Sequence, residues 1–376
     1  MSVAGRPGRA TITQVAQLAG VSISTASKAL SGGRVNPQLA ERVRAVAKQL
    51  GYSPHSLAQA LRTGRARILG LQVAYITHYT TAAICEGVLD QAYARGYAVA
   101  MCSTQYKPDV EHTQLDILAR QHVAAVIVLP ISVDAAPYLE LQARGTPVVC
   151  MQRRPPGLSA DLVASDYRAG TYAAVRHLLE QGRRRVAMIA PTTTYGSNED
   201  REAGYHAAYA DAGLAAPADL ICFEPLTVDD AYAATRTLLS RAQRPDAFVA
   251  AGSNMVTPAL ACLRDFGIVV PDDVAFVGAG DVEWARLAAP PLTMIEIDGE
   301  QVGRLAVDMA LARLEPEGRA LPPREAYLPT TLVIRASSGG RGVAVASPLP
   351  ASGPGDARRS IGQQQESEAR LWAMPK

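Results

Sequence analysis

A run of short hydroxyl side chains follows a glycine inside an otherwise helical pattern near the start of the chain. The stretch VAQLAGVSISTASKAL, residues 15–30, contains four of them: Ser22, Ser24, Thr25 and Ser27. Hydroxyls both donate and accept hydrogen bonds, so on one helix surface they can reach the phosphates and base edges of DNA. The chemistry that this segment predicts is recognition of nucleic acid.

Two short helices would position these hydroxyls. Thr13 is predicted to cap a first helix that runs to about Ala19, and Gly20 to end it with a left-handed turn. Ser22 is predicted to cap a second helix over residues 23–30. Two short helices joined by a glycine turn form a helix-turn-helix, whose second helix enters the DNA major groove.

A small core and a third helix should complete this unit. The third helix is predicted from Pro37 to Leu50, with Asn36 as its cap and Gly51 at its end. The core is predicted to take in four apolar residues of the first two helices and their turn: Val15, Leu18, Val21 and Ala26.

Charge divides the chain unevenly. Residues 1–67 contain ten Lys or Arg and one acid, Glu41, a balance of +9, so the remainder carries 2 − 9 = −7. This polarity favours a nucleic-acid partner for the first part, although a solvated basic face without a partner would give the same balance. There is no apolar run of about 18 residues, which predicts no transmembrane helix. Arginines without an apolar stretch at the start predict no secretory signal, and five scattered cysteines predict reduced thiols, so we expect a cytoplasmic protein close to the nucleoid.

The longer second part alternates apolar runs with amphipathic helical patterns such as 83–96 and 169–182. This alternation predicts parallel sheets covered by helices on both faces, in two α/β lobes, with the run near 162–165 starting the second lobe. The final 40 residues, 337–376, are rich in Gly, Ser, Pro and Gln and predict a disordered tail. The predicted strands are 68–75, 97–103, 124–130, 147–152, 185–191, 246–252, 274–280 and 292–297.

Taken together, these segments resemble the lactose-repressor/galactose-repressor family of bacterial transcription regulators. The resemblance rests on TITQVAQLAGVSISTASKALSG (11–32), VNPQLAERV (35–43), LGYSPHSLAQAL (50–61), SDYRAGTYAAVRHLLEQGRRRVAMI (165–189), VPDDVAFVG (270–278) and PPLTMI (290–295). It implies an all-α helix-turn-helix DNA-binding domain and a doubly wound, two-lobed core like that of periplasmic binding proteins. The implied domains are 1–52 for DNA binding, 53–67 for a hinge helix and linker, and 68–336 for effector binding and dimerisation.

The resemblance also implies roles for residues on the DNA side. Ile23 and Ser24 match positions that read operator bases, and Lys28 stands where the family usually has a base-reading arginine. Leu61, in PHSLAQAL (54–61), matches the hinge-helix leucine that wedges open a base step in the minor groove. Positions that contact phosphates are matched by Thr25, Ser27 and Asn36, and Ser22 belongs to the same set of DNA-contacting hydroxyls.

On the effector side, the resemblance implies a ligand cleft between the lobes. Arg201 matches a ligand-contacting arginine, Tyr75 and the loop 78–81 match contacts after the first strand, and Ser197 is a further candidate. The family's acidic positions differ in this chain: Gln152, Gly252, Ser253 and Gly280 replace acidic or amide residues, and Asp281 is retained. Loss of acids beside a retained arginine predicts an anionic effector, for example a sugar acid such as gluconate. The segment YKPD (106–109) and Gly280 also resemble gluconate repressors of the family; a neutral sugar, or a cleft that binds nothing tightly, are the alternatives.

The function implied is that of a homodimeric, ligand-responsive transcription factor. A repressor released by its effector is expected, and a regulator that uses its effector as corepressor is the alternative. A transport-type binding protein would share the two-lobed fold but would need a secretory signal and no helix-turn-helix. An enzyme is not expected, since the sequence has no nucleotide-binding glycine loop, nucleophile elbow or metal-ligand spacing, and no cofactor is predicted. The dimer interface is predicted on the first lobe, around 83–96 and 105–125, and His112 and His122 are predicted on solvent-facing helix surfaces.

Overall fold

The computed structural model describes residues 10–30, 33–50, 52, 67–191, 197–223, 228–280, 282–319, 321–339 and 343–346. The chain divides into two compact units, Met1–Arg67 and Ile68–Lys376. The predicted hinge helix, including Leu61, lies outside the described residues, as does Gly51.

The first unit contains three helices: α1 (Ile12–Leu18), α2 (Ile23–Leu30) and α3 (Pro37–Gln49). Gly20 has a φ of +62°, which confirms the left-handed turn between α1 and α2. The prediction that Thr13 caps α1 is wrong, because Thr11 is the cap. Thr11 accepts a hydrogen bond from the backbone N–H of Gln14, whose side chain accepts one from the backbone N–H of Thr11. This reciprocal capping satisfies two backbone N–H donors. Thr13 could not form it, because the residue three positions later is Ala16, whose side chain cannot accept a hydrogen bond.

The core of the first unit is made of small apolar side chains. Val15 and Ala26 are fully buried as predicted, and Val21 packs against the cluster. Leu18 is 65% exposed, so its assignment to the core is wrong. The adjacent Ala19 is buried in its place, because a methyl group suffices where the turn brings α1 close to its neighbours.

The second unit contains two sheets. The first is a six-stranded parallel sheet in the order β11-β5-β4-β3-β1-β2. Its strands are β1 (Ile68–Val73), β2 (Ala98–Ser103), β3 (Ala125–Val128), β4 (Val148–Met151), β5 (Asp161–Ser165) and β11 (Glu325–Leu328). The helices that cover it are α4 (Tyr79–Ala94), α5 (Pro108–Arg120), α6 (Ala136–Ala143) and α11 (Gly299–Ala312), followed by the short α12 (Pro316–Arg319).

The other sheet has seven strands in the order β13-β12-β10-β9-β8-β6-β7, with β12 and β13 antiparallel to their neighbours. Its strands are β6 (Val186–Ile189), β7 (Ile221–Cys222), β8 (Ala247–Ala250), β9 (Ala275–Ala279), β10 (Thr293–Ile297), β12 (Thr330–Ile334) and β13 (Val343–Ala346). The helices of this lobe are α7 (Tyr167–Glu180), α8 (Ser197–Asp211), α9 (Val228–Leu239) and α10 (Ser253–Asp265). All eight predicted strands are confirmed, and both sheets are built as near-continuous apolar strands.

The chain passes between the lobes three times. The prediction that residues 162–165 start the second lobe is wrong, since β5 pairs in parallel with β4 of the first sheet. The first passage follows β5 into α7, the second leads from β10 into α11, and the third joins β11 to β12. Because α11 buries Val302 and Val307 in the core of the first lobe, each lobe contains chain from both halves of the unit.

The predicted tail does not begin at residue 337. Ser337 and Ser338 are buried, and the Ser337 hydroxyl donates to the Phe276 carbonyl at 2.7 Å. Residues 343–346 then pair with β12, and residues 347–376 lie outside the described part of the chain. His122 also departs from prediction, because it follows the end of α5 in a turn with a φ of +52°. The buried serines contact Phe276 of β9 and Thr293 of β10, inside the second sheet, so the ordered domain extends past its predicted end.

None of the helices described is both long and apolar enough to cross a lipid bilayer.

Candidate functional site

The first candidate site is the outward surface of α2. Ala26 and Ala29 bury one side of this helix, which turns Ser24 and Lys28 outward and leaves Ile23 50% exposed. Exposed side chains at the start of a second helix are the ones that reach base edges in a helix-turn-helix. The residues predicted to read bases therefore share one accessible surface.

The neighbouring hydroxyls and Asn36 also hold the helix ends. The Ser22 oxygen accepts from the Thr25 backbone N–H at 3.1 Å and lies 2.8 Å from the Thr25 hydroxyl, as predicted for a cap. The Asn36 side-chain oxygen accepts from the Gln38 N–H at 3.0 Å, while its amide N–H groups are the donors that a phosphate would need. Ser27 is partly buried beside this surface. Besides Lys28, the exposed basic residues in the described part of the three helices and their loops are Arg34, Arg42, Arg44 and Lys48.

The second candidate site is a cavity between the two lobes, at the carboxyl ends of their parallel strands. This is where open α/β sheets bind ligands. First-lobe residues on its wall include His78, Thr80, Tyr106, Gln152 and Arg153. Second-lobe residues include Tyr167, Ser197, Arg201, Gly252 and Ser253.

Arg201 is held rigidly in the second-lobe wall. It is 5% exposed, and its Nη1 donates to the Ser197 carbonyl at 3.2 Å and to Asn198 Oδ1 at 3.1 Å. Its guanidinium carbon lies 4.0 Å from the ring centre of Tyr167. Burial lowers the pKa of Arg201 and the positive charge of Arg153 adds to this, against the effect of Tyr167. An arginine remains protonated in proteins, so the wall carries a fixed positive charge.

Arg153 is a second buried arginine that the sequence analysis did not single out. It follows β4 of the first lobe, is 8% exposed, and donates from Nε to the carbonyl of Pro130. Its place two residues beyond a buried parallel strand is a signal that could have identified it, because such positions face the ligand edge of the sheet.

Gln152 lines the cavity, but its amide is used within the protein. Its oxygen accepts from the Ser165 backbone N–H at 2.9 Å, and its nitrogen donates to the Ser165 hydroxyl at 3.2 Å. Its φ of +62° is uncommon for a residue with a side chain. The structure therefore gives Gln152 a positioning role that joins the ends of β4 and β5, next to Arg153.

An aromatic cluster forms the first-lobe wall. The Tyr75 ring centre lies 5.2 Å from that of His78 and 5.4 Å from that of Tyr106, so Tyr75 supports the two rings that line the cavity. Burial lowers the pKa of His78, which favours its neutral form at pH 7. Burial raises the pKa of Tyr106, against the lowering effect of Arg153 and Arg201. The first-lobe wall therefore combines apolar ring faces with the neutral hydrogen-bonding groups of His78 and Tyr106.

Two glycines at positions that differ from the family pattern, Gly252 and Gly280, occupy confined places. A Cβ on Gly252 would lie 2.8 Å from Cδ of Pro191. Gly280 has a φ of +77°, and a Cβ there would lie 3.0 Å from the Cβ of Ser253 and 3.1 Å from Oγ1 of Thr80. An aspartate at either position would be strained, so these backbone positions depend on glycine. Asp281 lies outside the described residues.

The charge of the cavity is positive. Within the described part of its wall there are two arginines and no carboxylate. The described residues also contain no group of three His, Cys, Asp or Glu side chains that could hold a metal ion. The arrangement can bind an anion between the lobes.

The fold and the two sites define a class of protein: a DNA-binding transcriptional regulator that carries a ligand domain. Residues 11–55 match the family described as "Bacterial regulatory proteins, lacI family", and residues 175–338 match the "Periplasmic binding protein-like domain". The chain belongs to the lacI family of bacterial transcriptional regulators, and it is a regulator rather than an enzyme.

Relatives along nearly the whole chain agree with this assignment. The "HTH-type transcriptional repressor PurR" of Histophilus somni (strain 129Pt) is 29% identical over 87% of this chain and 98% of its own. The "Ribose operon repressor" of Escherichia coli (strain K12) is 29% identical over 81% of this chain and 93% of its own. A solved structure described as "transcriptional regulator CelR-cellobiose complex" is 32% identical, with a TM-score of 0.66 over 88% of this chain and 100% of that chain. The fold is also that of the lac repressor dimer bound to operator, with a TM-score of 0.76 over 88% of this chain and 99% of that chain at 23% identity.

Proposed function

We propose that this regulator is a homodimeric repressor that binds a near-palindromic operator and is released by a small anionic effector of the sugar-acid type, such as gluconate. The observation that carries the proposal is the pair of buried arginines, Arg153 and Arg201, in a cavity whose described wall has no acid. It acts in the cytoplasm, on chromosomal DNA.

The surface of α2 supports the DNA part of the proposal. Ile23 and Ser24 read base edges, and Lys28 contacts guanine O6 or N7 with a point charge in place of an arginine fork. Ser22, Thr25, Ser27 and Asn36 contact phosphates, and the basic balance of residues 1–67 supplies the salt-dependent part of the affinity. Leu61 is proposed as the hinge residue that wedges a central base step.

Exposed apolar side chains support dimerisation through the first lobe. They lie on α4, on the edge strand β2 and on α5, with Tyr93 the most exposed at 85%. Their positions fall within the regions predicted for the interface: Leu89, Tyr93 and Ile117, with Met101 beside them. A two-fold axis through this face would present two recognition helices to two half-sites, which is why the operator is expected to be near-palindromic.

The walls of the cavity support an effector with both hydroxyl groups and negative charge. The arginines bind the anionic group, the hydroxyls of Thr80, Ser197 and Ser253 can bind polyol oxygens, and the aromatic wall contacts the carbon chain. Binding that draws the lobes together would shift the dimer face and weaken DNA binding by a coupling energy of typically ~1–3 kcal/mol. A corepressor uses the same parts with the opposite sign.

Fluorescence anisotropy tests the proposal directly. The purified full chain is titrated against labelled DNA from upstream of its own gene and neighbouring genes, with and without gluconate, glucose and a panel of sugars. Tight binding that gluconate weakens supports the repressor, and binding that appears only with gluconate supports the corepressor.

Variants separate the two sites. Ser24→Ala should weaken specific binding by about 1–3 kcal/mol while non-specific binding is unchanged, because base contacts carry the specificity. Arg201→Gln should leave operator binding intact and remove the response to gluconate. The exposed Arg241, which does not line the cavity, serves as the charge-matched control in Arg241→Gln. Equal effects of gluconate on operator binding by wild type, Arg201→Gln and the control variant would contradict the proposal.

A further inference from the structure

The two arginines of the cavity reach it from opposite lobes. Arg153 extends from the end of β4 in the first lobe, and Arg201 from the first turn and a half of α8 in the second. Both are nearly fully buried, and both line the same cavity. Two separate positive charges therefore face one ligand space.

The partners of these arginines satisfy hydrogen bonds without cancelling charge. Arg201 binds the Ser197 carbonyl, the Asn198 amide oxygen and the Tyr167 ring, and Arg153 binds the Pro130 carbonyl. A buried charge is costly unless an opposite charge accompanies it. Neutral acceptors leave that cost largely in place at both arginines.

Nearby acids offer limited compensation. Asp200 attracts Arg201, and Asp200 and Glu199 line a groove next to the cavity that Arg153 also borders. In that groove Arg154 is already paired with Glu325 at 2.6 Å. No carboxylate belongs to the described wall of the cavity itself. The described residues of this wall carry two positive charges, on Arg153 and Arg201.

Two tyrosines add donors at the same place. Tyr106 and Tyr167 both line the cavity with Arg153 and Arg201. Burial raises the pKa values of the two tyrosines, and both arginines lower them. Tyr106 belongs to the first lobe and Tyr167 opens α7 of the second. Each lobe thus contributes one arginine and one tyrosine to a common space.

We propose that the effector is a small polyhydroxylated dianion, whose two negative charges are shared between Arg153 and Arg201. This inference rests on the anionic effector proposed above and narrows its class. The second charge comes from a second carboxylate or from a phosphate monoester, which carries about −1.5 to −2 at pH 7. Either group holds both arginines, and so both lobes, in one contact.

A matched series of ligands tests the charge requirement by isothermal titration calorimetry with the full chain, at pH 7.5 and in the absence of DNA. Glucose, gluconate, glucarate and glucose 6-phosphate share a six-carbon polyol and carry zero, one, two and about two negative charges. We expect glucarate or glucose 6-phosphate to bind at least ~10-fold more tightly than gluconate, because each charge-assisted hydrogen bond contributes about that factor. Which dianion binds identifies the source of the second charge.

The outcomes distinguish this inference from the proposed function. If gluconate binds more tightly than glucose but neither dianion exceeds gluconate, the dianion is overturned and the sugar-acid effector stands. If glucose binds as tightly as gluconate and both dianions, the anionic effector fails as well. If neither dianion binds, the dianion is overturned.

Variants at the first-lobe arginine test the assignment of the second charge. Arg153→Gln should lower the ratio of dianion to gluconate affinity to about one, and Arg153→Lys, which keeps the charge, should retain part of it. Arg154→Gln is the matched control, since it removes the adjacent arginine outside the cavity and should leave the ratio unchanged. A ratio that survives Arg153→Gln in a folded protein would overturn the role of Arg153. Should Arg153→Gln not fold, Arg153→Ala provides the same test. A ratio of dianion to gluconate affinity that equals wild type in Arg153→Ala and is lost only in Arg154→Gln would overturn the role of Arg153.

Discussion

The carboxylate of Asp161 provides the sharpest test of what holds the first lobe together. It opens β5 with no exposed side-chain surface, and it accepts hydrogen bonds from Arg313 at 2.5 and 2.9 Å and from Arg324 at 2.8 and 3.1 Å. Burial alone would raise the pKa of Asp161, but the hydrogen bonds from Arg313 and Arg324 outweigh it and lower the pKa below its ordinary value of 3.8. The ionised form therefore stabilises the fold.

Asp161→Asn removes the negative charge and turns an amide N–H toward arginine donors. Breaking a buried ion pair by removing one partner costs about 3–5 kcal/mol. The lower end applies here, since Arg313 also donates to the carbonyls of Gly318, Leu321 and Pro322 and keeps those partners. At roughly 2 °C per kcal/mol for a body of this size, about 3 kcal/mol lowers the Tm by roughly 6 °C.

Differential scanning calorimetry at pH 7 measures this shift, and Asp116→Asn is its matched control. The Asp116–Arg120 ion pair has the same 2.5 Å distance as Asp161–Arg313, but the Asp116 side chain is 43% exposed. A surface pair of this kind contributes about 0.5 kcal/mol, or roughly 1 °C. Equal shifts in the two variants would refute the reasoning that burial, rather than distance, sets the contribution.

The pH dependence gives an independent check on Asp161. A carboxylate with a lowered pKa in the folded state contributes stability that is fully present above its unfolded pKa, near 3.8, and is lost as the pH falls through the folded pKa. The difference in Tm between wild type and Asp161→Asn should therefore be constant from pH 7 to about pH 5 and narrow below pH 4. A difference that grows on acidification would contradict the assignment.

Three further variants test other parts of the structure. Gly303→Ala would place a Cβ 2.2 Å from the carbonyl oxygen of Ile84, where α11 crosses α4. Its Tm should therefore fall by the equivalent of about 1–3 kcal/mol or more. The control Arg304→Ala, on the exposed side of α11, should change the Tm little. Ser22→Ala removes the cap of α2 and should destabilise the helical unit by about 0.5–2 kcal/mol in urea unfolding followed by circular dichroism, with no effect expected if the cap were dispensable. Burial lowers the pKa of His177, so its contribution to stability is lost as the pH falls below 6.5, the pKa of the unfolded state. His177→Gln should therefore reduce the dependence of Tm on pH between pH 7.5 and 5. An unchanged slope of Tm against pH would refute this contribution of His177.

Local features of the chain were predictable because they depend on neighbouring residues. The turn at Gly20, the caps at Ser22 and Asn36, and all eight strands follow from turn chemistry and apolar runs within a few residues. The cap of the first helix is also a local feature, since Thr11 and not Thr13 has a reciprocal partner three residues later, Gln14. Strand pairing is not local, which is why residues 162–165 were assigned to the wrong lobe.

The order of strands and the pairing of distant segments decided the ligand site. Arg201 could be identified from the family motif around it, whereas next to Arg153 the family pattern marks Gln152 and not Arg153 itself. Only the folded chain directs the Gln152 amide to Ser165 and leaves Arg153 in the cavity wall.

By itself the sequence determined the class of this protein: a basic helix-turn-helix followed by two α/β lobes, because capping, periodicity and charge are properties of short segments. The tertiary structure alone decided what the cleft presents to a ligand. The three passages between the lobes bring Arg153 and Tyr106 of one lobe against Arg201 and Tyr167 of the other. The physical reason is that burial and electrostatic field depend on which distant segments pack together, and no window of the sequence contains that information.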